Sequence, residues 1–137
     1  REGALLGIPS MATSLATFVE PDYTYAASIT TAIARKLKAK GIPKGTFLNI
    51  NVPNISRSRI KGVRVTRQGM EPIHARFHRR KDPQNNTYYW MSGKLPKDKA
   101  YDGTDTMALR KGYVTITPIH VDSTDYTHLS TMKDWSF

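Results

Sequence analysis

Apolar and polar residues alternate along this 137-residue chain with two different periods, and the switches between them mark its elements. In the opening "REGALLGIPS", Ala4, Leu5 and Leu6 read as the last turn of a helix. Gly7 suits the left-handed position that closes a helix, and Pro9 forbids its continuation. No capping residue precedes Arg1, and so few residues cannot meet the nucleation cost of a helix, so the chain reads as a piece of a longer protein. "SMATSLA" then alternates Met11 and Leu15 with small residues, which predicts a buried strand over Ser10 to Ala16. The clearest helix follows. Asp22 can cap its first turn, Ala26, Ile29, Ile33 and Leu37 form one apolar stripe, and Gly41 and Pro43 stop it. Arg35, Lys36, Lys38 and Lys40 complement the dipole at its end and need no ligand to explain them.

In "TFLNINVP", Leu48, Ile50 and Val52 share one strand face and Phe47, Asn49 and Asn51 the other. Strand, helix, strand is a crossover unit that places parallel neighbours in one sheet, so an α/β layered architecture is expected. "KGVRVTRQG" adds a strand with Val63 and Val65 on one side and Arg64 and Thr66 on the other; "GYVTITPI" adds another with Val114 and Ile116 inward. The tail "DYTHLSTMKDW" predicts a short amphipathic helix that turns Leu129, Met132 and Trp135 inward.

The middle of the chain lacks this clean alternation. A turn at Asp82, Pro83, Gln84, Asn85 and Asn86 separates Phe77 from Tyr88, Tyr89 and Trp90, predicting an extended β-hairpin arm over residues 73–92. Aromatic residues interleaved with arginine are hard to bury in their own core and favour subunit interfaces, so Phe77, Tyr88, Tyr89 and Trp90 are expected to join protomers.

Composition narrows the classes. Hydrophobic residues at 39% and charged residues at 23% are close to globular averages. No apolar run reaches the length of a membrane span, and the absence of cysteine agrees with a cytoplasmic protein. Lys and Arg number 21 against 11 Asp and Glu, a formal charge of +10. The excess concentrates between Arg57 and Lys81, where Glu71 is the one acid. Such a stretch attracts anions, whether nucleic acid, phosphorylated metabolites or an acidic surface. Nucleic acid ranks last, because neither a recognition helix nor a stacking platform is evident.

Few side chains suggest catalysis. Asp98, Asp102 and Asp105 are near neighbours but mixed with lysines, without the tight ligand alternation of a calcium loop. His74 and His78 on one strand face stand too far apart to share an ion. His120, Asp122 and Ser123 include the residue types of a nucleophilic triad, yet as neighbours on an extended chain they cannot converge. Structural roles are expected for them, with His120 and Asp122 contributing interface hydrogen bonds. Asn49 and Asn51 lie towards the carboxyl end of their strand, where α/β proteins bind ligands; they could reach a substrate or could satisfy the following loop. Gly103, Thr104 and Asp105 form a turn that caps a helix running to Leu109 and ended by Gly112, with a second possible role beside a neighbouring substrate.

"EGALLGIPS", "LNINVP", "IKGVRVTRQG", "DPQNNTYYW", "GTDTMAL" and "GYVTITPIHVDSTDY", in this order and at these spacings, resemble the C-terminal half of the SurE family, the stationary-phase survival nucleotidases. The resemblance implies the C-terminal portion of a three-layer α/β/α, Rossmann-like domain with a protruding β-hairpin, residues 1–137 forming part of a single domain. It implies hydrolysis of nucleoside monophosphates with a divalent metal ion, Mg or Mn, in a homodimer or homotetramer. The family's metal ligands, led by an Asp-Asp-Gly motif, precede the block matched by "EGALLGIPS". No metal ligand and no catalytic residue is therefore expected in this chain, which should be inactive alone. A non-catalytic oligomerisation module and a basic nucleic-acid binder are the competing classes.

Overall fold

The computed structural model describes residues 1–70, 74–94 and 102–136. Helix α1, Glu2–Leu5, ends at Gly7 with φ of +75°, in the left-handed region that glycine enters without strain. Strand β1 spans Ser10–Ala16, helix α2 Thr24–Lys40 and strand β2 Thr46–Pro53. Strand β3 is Val63–Val65, and a hairpin of β4, His74–Lys81, and β5, Thr87–Lys94, follows. Helix α3, Asp105–Arg110, strand β6, Val114–His120, and helix α4, Tyr126–Met132, complete the chain.

Four strands form one sheet in the order β1-β2-β6-β3. As the crossover through α2 predicts, β1 and β2 are parallel, with Thr13 opposite Ile50 and Leu15 opposite Val52. Strand β6 runs against β2, pairing Ile116 with Ile50, and β3 lies parallel to β6. The sheet is therefore mixed.

Its two faces differ in chemistry. Ile50, Val52 and Val114 are fully or almost fully buried against Ala26 and Ile33 of α2, with Met11, Leu15, Ile29 and Leu48 around them. This is the apolar stripe of α2 meeting the alternate residues of β2, the burial that stabilises most of the fold. The opposite face carries buried hydroxyls, Thr66, Thr115 and Thr117, beneath α3. Thr66 and Thr117 share a hydrogen bond of 2.8 Å, so these polar groups are satisfied without water. Helices thus cover both sides of an α/β sheet, the Rossmann-like layering.

Val63 and Val65 share a face, on an edge strand where Val65 is 78% exposed. One expectation differs from the structure. The tail helix forms, capped by Asp125 through the Thr127 and His128 amides. Leu129, Met132 and Trp135 do not turn inward: none is buried, and Trp135 is 55% exposed.

The hairpin forms a separate two-stranded sheet, with Phe77 opposite Met91 and Arg80 opposite Tyr88. Asp82 builds its turn, accepting from the Asn86 amide at 2.8 Å and the Asn86 side chain at 3.1 Å, while Asn85 takes φ of +68°. The arm is observed from His74, residue 73 lying outside the described residues.

Candidate functional site

Because β1 and β2 run the same way, their carboxyl ends and the start of α2 come together around one cleft of about 410 Å³. Leu15 and Val52 form part of its wall, and Asp22, Tyr25, Asn54 and Arg57 bring polar groups to it. Asp22 accepts from the Thr24 amide at 2.9 Å. Hydrogen bonds from Thr24, first its side chain and then its amide, hold the Asp22 carboxyl below the ordinary carboxylate range. Tyr25 is half-buried against the core, and the Arg57 guanidinium stands 5.7 Å from its ring centroid. Asn54 Nδ2 donates to the Glu20 carbonyl at 3.5 Å.

None of the substrate-side candidates, Asn49, Asn51, Gly103, Thr104 and Asp105, lines this cleft. Asn51 lies on the polar sheet face, its Nδ2 donating to Thr115 Oγ1 at 3.4 Å, so a cross-strand hydroxyl rather than the following loop satisfies it. Asn49 occupies the same face between Ala12 and Thr117 and makes no side-chain hydrogen bond among the described residues.

Gly103, Thr104 and Asp105 run beside Arg67, just beyond β3, and do form the expected cap. Thr104 is fully buried and accepts from the Met107 amide at 3.3 Å. Asp105 Oδ1 accepts from the Thr106 amide at 2.7 Å and from the Gly69 amide at 2.9 Å, tying the helix start to the loop after β3. Gly112, at φ of +86°, closes α3 by donating to the Leu109 carbonyl. Gly103 also borders a second cleft of about 300 Å³ with Arg64 and Lys111.

Several of the other acids and histidines are similarly engaged. Lys111 pairs with Asp102 at 2.6 Å, while Asp98 lies outside the described residues. His78 Nε2 meets Ser92 Oγ at 3.0 Å on the arm. The Asp122 amide donates to His120 Nδ1 at 3.2 Å, and the Asp122 carboxylate accepts from the Thr124 amide and the Tyr126 hydroxyl. Bonds from Thr124 and then Tyr126 lower the Asp122 pKa to about 2, and the same carboxylate raises that of Tyr126. Among the described residues no group of three or more His, Asp or Glu side chains could hold a metal ion. A divalent cation needs clustered oxygen donors, and these carboxylates are committed to amides, a hydroxyl and a lysine, so the donor set does not fit one.

Phe77, Tyr88, Tyr89 and Trp90 all lie exposed on the arm, Phe77 at 66% and Tyr89 at 65%. Arg80 stands 5.8 Å from the Trp90 ring centroid.

A protein-family model described as "Survival protein SurE" matches residues 1–75, more than half of the chain. The chain belongs to the SurE family. Its curated relatives include the 5′-nucleotidase SurE of Heliobacterium modesticaldum, 42% identical over 98% of this chain and 49% of that protein. The 5′-nucleotidase SurE of Symbiobacterium thermophilum is 38% identical over 98% of this chain and 53% of that protein. The crystal structure of the SurE protein from Aquifex aeolicus superposes with a TM-score of 0.79 at 37% identity, covering 96% of this chain and 53% of that one. The chain thus spans about half the length of the SurE proteins it matches. No helix among the described residues is long and apolar enough to cross a membrane.

Sequence reasoning passed over Tyr25, read Arg57 only as the start of a basic stretch and read Asp22 only as a cap. The available signal was positional: residues just after two parallel strands, and in the first turn of the connecting helix, converge at the sheet's carboxyl end.

Proposed function

We propose that this chain is the C-terminal portion of a metal-dependent nucleotidase, a phosphoric monoester hydrolase acting on nucleoside monophosphates in the cytoplasm. The observation that carries the reading is the continuous match to proteins named 5′-nucleotidase SurE across 98% of this chain, about half of each. Residues 1–137 form part of one domain, in which they brace the sheet and shape the approach to the substrate. The metal, Mg or Mn, is held by residues outside them. Asn49, Asn51, Gly103, Thr104 and Asp105 act on the substrate side only as supports, from outside the cleft: Asp105 and Thr104 fix the turn before α3, and Asn49 retains hydrogen-bonding capacity.

Phosphate release from nucleoside monophosphates, assayed with Mg or Mn, tests the reading. The complete protein is expected to release phosphate and residues 1–137 alone to release none; metal-dependent turnover by residues 1–137 alone overturns the division of labour.

The exposed aromatic arm favours a second role in the same protein. Phe77, Tyr88, Tyr89 and Trp90 on residues 73–92, with His120 and Asp122, join protomers in a homodimer or homotetramer.

A further inference from the structure

We propose that the cleft at the carboxyl ends of β1 and β2 receives the nucleoside part of the substrate, with Tyr25 as the base-stacking residue. This rests on the nucleotidase reading and goes beyond it by naming where the base is held. Its volume of about 410 Å³ lies within the usual range for small-molecule sites, and the carboxyl ends of parallel strands are where such sheets bind ligands.

The charges decide which part of the nucleotide fits. An uncapped helix start attracts phosphate, but at α2 the Asp22 carboxylate already accepts from the Thr24 amide and is held ionised. A second anion at that position meets repulsion from Asp22, so phosphate is directed elsewhere and the uncharged sugar and base are admitted. Asp22 can accept from a sugar hydroxyl, as acids near the strand ends of nucleotide-binding sheets do. Tyr25 presents an aromatic face half-buried among apolar neighbours. Arg57 covers that face loosely: its guanidinium is 5.7 Å from the centroid, against 3.8 Å for Arg64 over Tyr113. Being exposed on a 3-10 turn at Arg57–Arg59, Arg57 is free to swing out and close over a planar base, adding a second stacking surface.

The test uses the complete protein and two readouts: calorimetric binding of adenosine, and hydrolysis of AMP against ribose 5-phosphate, which lacks the base. Base stacking on an aromatic residue is commonly worth one to two orders of magnitude in affinity. Tyr25→Ala is expected to weaken adenosine binding and raise KM for AMP by about tenfold, with ribose 5-phosphate unchanged. Tyr25→Phe, which keeps the ring, is expected to restore both and guards against a folding defect. Unchanged adenosine binding and AMP KM in Tyr25→Ala overturn the cleft while leaving the nucleotidase reading intact. Equal losses on AMP and ribose 5-phosphate, restored by Tyr25→Phe, make Tyr25 a structural residue and overturn it too. Tyr25-dependent adenosine binding in a protein that hydrolyses neither ester sustains the cleft and defeats the nucleotidase reading.

Discussion

Thr104 joins burial to capping, since its fully buried hydroxyl accepts from the Met107 amide at the start of α3. Thr104→Ala is expected to lower stability by about 1–2 kcal/mol, the usual worth of an N-cap. In urea unfolding this is a lower midpoint at unchanged slope, largely recovered in Thr104→Ser; an unaltered midpoint would mean the cap is idle. The cap was legible because Gly-Thr-Asp ahead of an apolar run is a local signal. Asn51 was not, because its partner Thr115 is 64 positions away and only the β2–β6 register joins them. Asp122 adds a pH dependence. Its folded carboxyl titrates near 2, below the ordinary 3.8, so the support it gives the turn before α4 is complete above the ordinary value and fades as pH falls towards 2. Carboxyl-carbon NMR is expected to follow that midpoint and to find it moved upward in Tyr126→Phe, with the Thr124 contribution remaining; an unmoved midpoint would dismiss the Tyr126 bond.

Among elements, α2 and β2 followed from periodicity because each buries one face on the other. Helix α4 was predicted on the same grounds, yet its apolar residues stay exposed, since periodicity reports a face and not the surface that covers it. The β4–β5 arm has exposed aromatics on both faces, because Phe77 and Tyr89 project to one side and Trp90 and Tyr88 to the other. A lone two-stranded sheet gains little stability from its own contacts, so the proposed docking against another protomer is expected to bury these rings. Tyr89→Ser with Trp90→Ser is expected to lower the solution mass of the complete protein in light scattering, with α/β circular dichroism preserved. An unchanged mass would place the protomer contact elsewhere.

For the molecule as a whole, the α/β class followed from the crossover, but the reversed direction of β6 did not. A long connection through the arm and the residues before α3 carries no local rule for strand direction. Strand β1 is the other edge, and its outward backbone pairs with no described strand. An unpaired edge recruits further strands, so residues 1–137 alone are expected to self-associate as concentration rises. Ala12→Lys, at an exposed position on β1, is expected to suppress that scattering by adding charge to the edge, whereas scattering that persists undiminished would locate the sticky surface elsewhere.

The reversal of β6 separates the two poles of the sheet. Strand β6 ends where β2 begins, the Val121 amide donating to the Gly45 carbonyl at 2.8 Å, while the cleft opens at the finish of β2. A fluorophore carried at Ser123 therefore sits a full strand length from the proposed nucleoside cleft, so the proposed assembly and ligand capture can be followed in one sample through separate signals.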